Sequence, residues 1–477
     1  MKTFMNEDFL LENEVSKKLY FDYASKMPII DYHCHIQPKE IAEDKKFKNI
    51  TEIWLGGDHY KWRLMRANGV DEKYITGDGD DYEKFLAFAT TLEKAIGNPV
   101  FHWSHLELKR YFGYDGVLNS KTAKDVYDLC NKKLEGMSAK KIVAASNVKL
   151  LCTTDDPIDD LHYHDVIKED KEFKTVVLPA WRPDKLMKIN KPEFKDYIGK
   201  LSEVSGVEIK DIASLLKAID IRLDFFASKG CVVSDHGLDY VMYEKCDDED
   251  ANRILLKGLN QEELSQVEVD QFKTYTLTHM AKRYKELGFI MQLHYGCNRD
   301  NNSLHPTPDT GYDAMANYCP SDKLIKMLDE MNKNGLPKTI LYSLNPNDDE
   351  LIDTVIGCFQ DSSCAGKIQH GSAWWFNDNK TGMVKQMNSL ANGGLLGNFV
   401  GMLTDSRSFI SYPRHEYFRR IMCNYIGTLV YNGEYPYDED NLKEIVEGIS
   451  YNNTLHYFGF DKFIKDWLIL LKRKLVK

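Results

Sequence analysis

The sequence predicts a parallel α/β fold, a distorted (β/α)8 (TIM) barrel with a helical insertion after its first strand. Eight short apolar runs recur along the chain, helix-patterned stretches separate most of them, and each run turns polar at its C-terminal end. Strands alternating with helices imply a parallel sheet, and eight is the number that closes into a ring. A doubly wound open sheet fits less well, because no glycine-rich nucleotide turn follows the first run.

In chain order the runs are Pro28-IIDYHCHI, Val148-KLLCTTDD, Lys174-TVVLPAWRPD, Gly230-CVVSDHGLD, Phe289-IMQLHYGCNRD, Lys338-TILYSLNP, Lys367-IQHGSAWWFND and Asn398-FVGMLTDSRS. Each begins with Val, Ile, Leu or Phe in close succession, as a strand buried on both faces should. Between them, Ile212-ASLLKAIDIRLDFFAS, Tyr275-TLTHMAKRYKEL and Asp322-KLIKMLDEMNK have helical spacing, the last two ending just before Gly288 and Gly335. From Gln37 to Asn147 there is no strong strand, only helical material such as Asp80-DYEKFLAFATTLEKAIG and Ala123-KDVYDLCNKKLEGMS. The expected organisation is therefore residues 1–36 as N-terminal segment and first strand, 37–147 as helical insertion over the barrel mouth, 148–412 as the rest of the barrel, and 413–477 as C-terminal helices ending in Phe463-IKDWLILLKRKLVK.

Over 477 residues, 62 Lys+Arg stand against 73 Asp+Glu, a formal charge of −11. That balance argues against nucleic acid or an anionic membrane as partner, while leaving room for a locally positive pocket. The N-terminus is acidic where a signal peptide needs a basic start, and no apolar run approaches a membrane span. Ten cysteines are scattered without a C-x-x-C pair, so reduced thiols in a cytoplasmic protein are expected.

In such barrels the chemistry gathers at the C-terminal ends of the strands. His33 and His35 end the first run and, two residues apart in a strand, face the same way, so both imidazoles can meet one ion. Asp405 ends the eighth run, neighbour of the first in a closed ring, and can add a carboxylate; its bland alternative is a helix N-cap. His294, at the end of the fifth run, is a further ligand or a substrate contact. Arg182, Arg299 and Arg407 follow the third, fifth and eighth runs, and guanidinium groups grip carboxylates bidentately. Singly, each could equally pair with a neighbour such as Asp184 or Asp300. Trp374 and Trp375 end the seventh run as lid or sugar-facing aromatics. His59 and Tyr60 follow Gly56 and Gly57 in a loop that can dip into the mouth. His236 lies on the rim without an evident role, and His102 and His105 are read as ordinary helix histidines.

Together, Asp31-YHCHI, Gly57-DHYKWRLMRANG, Pro179-AWRPD, Ser234-DHGLD, Gln292-LHYGCNRDNN, Gln369-HGSAWWFND and Leu403-TDSRSF, in this order, resemble the uronate isomerases (glucuronate isomerases) of the amidohydrolase superfamily. The resemblance runs nearly the whole length. It implies interconversion of D-glucuronate with D-fructuronate and of D-galacturonate with D-tagaturonate. By the same matching, His33, His35 and Asp405 look like a site for one divalent metal, usually Zn2+. Arg182, His59, Tyr60, His294, Arg299, Trp375 and Arg407 look like contacts to a small-molecule hexuronate. Assembly into a homo-oligomer is left open.

Aldose–ketose isomerisation moves a proton between C2 and C1, so a base and a means of stabilising an enediolate are needed. Asp405, or a group it orients, is the expected proton carrier, with His33 at the metal and His59 or Tyr60 moving protons at oxygen. A mononuclear metal-dependent hydrolase or deaminase of the same superfamily is the alternative. Against it, the fourth run offers no lysine to bridge two metals, and the sixth ends in Ser343-LNP without a histidine.

Overall fold

Residues 2–304, 310–316 and 321–464 are described by a computed structural model of the chain. Seven of the eight expected staves are strands: β1 (Ile29–Asp31), β2 (Val148–Cys152), β3 (Val176–Leu178), β4 (Val233–Gly237), β5 (Ile290–Tyr295), β6 (Thr339–Ser343) and β7 (Ile368–His370). All pair in parallel, as β1-β2-β3 and as β4-β5-β6-β7. A single bridge, Trp181 to Ser234, joins the two sets. The ladder thins there because Pro179, just past β3, has no N–H to give. Beyond it the pairing resumes, with Trp181 N donating to Val233 O at 2.9 Å and Asp235 N to Trp181 O at 2.9 Å.

The eighth stave differs from expectation. Residues 398–405 form no regular ladder, and side chains do much of the joining. Asp31, fully buried at the end of β1, accepts from Thr404 N at 2.8 Å and from Thr404 Oγ1 at 2.5 Å. On the other flank, Gln369 Nε2 donates to Asn398 O at 3.1 Å. Only at the mouth do backbone bonds return: Asp405 N to His33 O at 3.2 Å and His35 N to Ser406 O at 3.0 Å. The physical reason lies in the backbone. Gly401 takes φ +78°, where a side chain would collide with the Ile449 carbonyl, and Asp405 itself takes φ +47°. Neither conformation belongs to a strand.

The helices follow the sequence pattern closely. Ile212–Ser228 spans the expected stretch, and Ser321–Asn334 stops at Gly335. Gln266–Leu287 starts earlier than its apolar pattern, because Ser265 and Glu268 form a capping box. Between β1 and β2 the described chain is helical, from Pro38–Ala42 to Ala139–Ala145. The expected terminal helix falls largely in residues 465–477, outside the described residues. No helix among the described residues is long and apolar enough to cross a membrane, and the nine cysteines among them are free thiols.

Two sets of buried charges tie the added helices to the barrel. Arg419, on helix Pro413–Tyr431, donates to Met27 O at 2.7 Å and Pro28 O at 2.6 Å, just before β1. In the insertion, Asp58 caps helix His59–Ala67 by accepting from Tyr60 N at 3.0 Å and Lys61 N at 3.2 Å. Its second oxygen meets Lys61 Nζ at 2.6 Å and Arg414 Nη2 at 3.4 Å. All three side chains are nearly inaccessible. A buried charge of this kind is tolerable only while its partners stay in place.

Burial alone would raise the Asp58 carboxyl, but Lys61 and Arg414 outweigh it and hold the group at about 2, against an ordinary 3.8. A folded value below the unfolded one adds stability above the unfolded value, which is lost as pH falls towards the folded one. Roughly 2 kcal/mol is therefore present at about pH 5 and above and disappears between about pH 4 and 2. Urea unfolding across that range should show the unmodified protein losing stability more steeply with acid than Asp58→Asn; parallel curves would contradict the assignment.

Candidate active site

Alternation along the extension of β1 sends Tyr32 and Cys34 one way and His33 and His35 the other. Tyr32 Oη donates to Gly401 O at 2.9 Å and Cys34 Sγ to Cys152 O at 3.2 Å, which fixes the register. The two imidazoles then meet the end of the eighth stave. His33 Nε2 lies 3.1 Å and His35 Nε2 3.0 Å from the same atom, Asp405 Oδ1. Asp405 Oδ2 accepts from Trp374 Nε1 at 2.9 Å. No helix starts at Asp405; the next begins at Pro413, so the capping alternative falls. Its left-handed φ of +47° is a strain found where a side chain must be aimed. Burial would raise the Asp405 carboxyl, yet the two imidazoles hold it well below the usual range.

A second buried group adjoins the first. Asp235, at the end of β4, accepts from or pairs with His294 Nδ1 at 2.7 Å and Arg182 Nη1 at 3.0 Å. His33 Nδ1 stands 3.9 Å from Asp235 Oδ2, too far for a hydrogen bond but close enough for charge to act. His294 stacks flat on Tyr342, ring centroids 4.1 Å apart, and its buried Nε2 has no hydrogen-bond partner among the described residues. Burial lowers His294, favouring the neutral ring.

The insertion covers this floor from above. His59 stacks on Tyr60 at 4.4 Å and leans on Trp375 at 4.7 Å. Burial brings His59 down to about 4, so its ring is neutral near pH 7, and Nδ1 has no hydrogen-bond partner among the described residues. Tyr60 Oη donates to Asp378 Oδ2 at 2.6 Å.

The three rim arginines do not share one fate. Arg182 pairs with Asp184 at 2.8 Å as well as with Asp235. Arg299 pairs with Asp239 at 3.2 Å and Asp313 at 3.5 Å, and lies 5.9 Å from the Trp375 ring centroid. Asp300, which the sequence offered as a partner for Arg299, instead donates its backbone N–H to Asp313. Arg407 is exposed and has no hydrogen bond or salt bridge to any described residue; its aliphatic carbons pack over Gly57, where a Cβ would stand 3.3 Å away. Of the three rim arginines it alone has no carboxylate partner among the described residues.

Among the described residues, those that could hold a metal form two overlapping groups, His33–His35–Asp405 and His33–Asp235–His294. The first fits one divalent cation: two imidazole nitrogens about one carboxylate oxygen, at 3.1 and 3.0 Å, approach the edge of roughly 3.3 Å set by metal bonds of about 2.0–2.1 Å. The second is already neutralised by Arg182, whose guanidinium would repel a cation there.

Asp235, Asp378 and the role of Trp374 escaped the sequence reading. The polar tail S-D-H at β4 carried the signal for Asp235, since alternation from Val233 points its side chain the same way. Nothing comparable marks Asp378, whose partner Tyr60 is 318 residues distant. His236 turns away to Tyr284 Oη at 3.1 Å, and His102 and His105 sit in helix Pro99–Phe112, away from this floor.

A family model described as glucuronate isomerase matches residues 1–458. A uronate isomerase of Lachnospira eligens is 59% identical over 467 residues, covering 97% of this chain and 100% of that protein. One of Lachnoclostridium phytofermentans is 57% identical over 466 residues, covering 96% and 100%. Among solved structures, the uronate isomerase of Thermotoga maritima is 34% identical with a TM-score of 0.91, covering 96% of this chain and 100% of that one. The glucuronate isomerase of Caulobacter crescentus, 24% identical over 96% and 97%, shares the fold with a TM-score of 0.88. The chain belongs to the glucuronate isomerase family.

Proposed function

We propose that the protein interconverts aldose and ketose hexuronates, D-glucuronate with D-fructuronate and D-galacturonate with D-tagaturonate, by proton transfer between C2 and C1. The observation that carries this is one mouth holding His33, His35 and Asp405 beside a neutral His59, a buried Tyr60 and the unpaired Arg407. A divalent cation held by His33, His35 and Asp405, zinc by its nitrogen and oxygen donors, would supply Lewis-acid polarisation of the substrate oxygens. Hydrolysis with two metals is disfavoured, because Arg182 already pairs with Asp235 of the second group and its charge would repel a cation there.

Arg407 grips the C6 carboxylate of the sugar acid bidentately and so sets where C1 and C2 lie. Arg182 and Arg299, already paired, lend positive potential to the same mouth and give hydrogen bonds from their remaining N–H groups. Trp375 offers an apolar face, and His294 Nε2 a polar contact, to the sugar. Asp405, with Oδ1 between the imidazoles and Oδ2 on Trp374, carries the proton between C2 and C1. His59 and Tyr60 give and take protons at the C1 and C2 oxygens; a neutral imidazole can do either.

Proton NMR of glucuronate in D2O with purified protein should show ketose signals and deuterium entering at the exchanging carbon. Chelator should suppress both and Zn2+ restore them; absence of ketose in every sample would remove the proposal. Asp405→Asn should lower kcat about 10³-fold with its melting temperature retained; near-normal turnover would exclude it as the proton carrier. Arg407→Met should raise KM by about 10- to 100-fold, as loss of a charge-assisted pair does; an unchanged kcat/KM would refute the clamp.

A further inference from the structure

We propose that Asp378 is the positioning residue of Tyr60: it aims the phenol into the mouth and receives the phenolic proton when Tyr60 acts on a substrate oxygen. This rests on the reading of Tyr60 given above. As a substrate hydroxyl passes its proton to Tyr60 Oη, the phenol passes its own to Asp378 Oδ2; when the oxygen is reprotonated both transfers reverse, and the pair ends as it began.

The arrangement is unusual for a merely structural carboxylate. Asp378 is buried, and Oδ2 is engaged by Tyr60 Oη at 2.6 Å. Its other oxygen, Oδ1, is buried with no hydrogen-bond partner among the described residues. Leaving a carboxylate oxygen so is costly, and a tie between loop and insertion could be made without a charge. Nor does Asp378 cap a helix: Asn379 caps Lys380–Gly393, accepting from Gly382 N.

The surroundings suit proton exchange. Tyr60 is pinned on three sides, by His59 stacked at 4.4 Å, by Trp103 edge-on at 5.3 Å, and by Arg414 at 5.4 Å from its ring. The Arg414 guanidinium favours a negative charge on the pair, whichever member holds it. Asp378 lines one small cavity together with Asp405 and Trp375, so the pair abuts the floor of the mouth. Burial pushes the Asp378 carboxyl up to about 7, so it takes up a proton more readily than an ordinary carboxylate. The seventh stave delivers it through a left-handed Phe376, φ +65°, just before Asn377 and Asp378.

The test measures kcat and KM on glucuronate for Tyr60→Phe, Asp378→Asn, Asp378→Glu and the double variant Tyr60→Phe/Asp378→Asn. Asp378→Asn should lower kcat about 100-fold with KM within about threefold, and Asp378→Glu should recover part of it. The double variant should be no worse than Tyr60→Phe alone, because the two residues act as one unit. Multiplying losses, or a normal kcat in Asp378→Asn, would overturn the assignment while leaving Tyr60 in place. A normal kcat in Tyr60→Phe would instead sink the reading of Tyr60, and this one with it. Should Asp378→Asn not fold, Asp378→Ser decides: reduced kcat at an unchanged melting temperature supports the role, and unchanged kcat overturns it.

Discussion

The site exists because the ring closes between its first and last staves. That closure is made by a buried carboxylate, Asp31, holding Thr404 through two hydrogen bonds, and by two backbone bonds further out. A continuous ladder would have kept the eighth stave straight. The left-handed turns at Gly401 and Asp405 bend it instead, so that Asp405 is aimed at His33 and His35 rather than along the sheet. The strain of a non-glycine residue there, of order 1–3 kcal/mol, is borne by the clamp around it.

Charge is the second organising constraint. The mouth gathers Asp235, Asp405 and Asp378 with Arg182, Arg299, Arg407 and Arg414, three of them (Asp235, Asp378 and Arg414) buried, in a chain of net charge −11. Almost every charge is matched: Asp235 by Arg182 and His294, Arg299 by Asp239 and Asp313, Asp58 by Lys61 and Arg414. Buried charges survive only on such terms. Arg407 stands out because it is exposed and has no carboxylate partner among the described residues.

The helical segment between β1 and β2 packs against the chain just past the seventh stave through His59 on Trp375 and Tyr60 on Asp378. Its grip is electrostatic and aromatic together: Arg414, from the helix after the barrel, lies 4.2 Å from the Trp103 ring centroid and meets the Asp58 cap. Helix His59–Ala67 is thereby fixed at its N-terminus, where His59 and Tyr60 are presented. Packing and charge in neighbouring residues thus set where His59 and Tyr60 stand.

The sequence by itself determined the staves, most of the helices and the convergence of their polar ends, because strand periodicity and parallel topology are local properties with a global consequence. His33, His35 and Asp405 were legible for that reason: two share a strand face, and the third ends the neighbouring stave. The irregular eighth stave was not, since its apolar run reads as a strand while two backbone turns and the Asp31 carboxylate decide otherwise. Tertiary structure alone sorted the three arginines into two that are paired and one that is not. It alone brought Asp235 to His294 and Asp378 to Tyr60, across 59 and 318 residues of chain. Pairing depends on which carboxylates lie within a few ångströms once the ring has closed, and no local pattern in the chain encodes that distance.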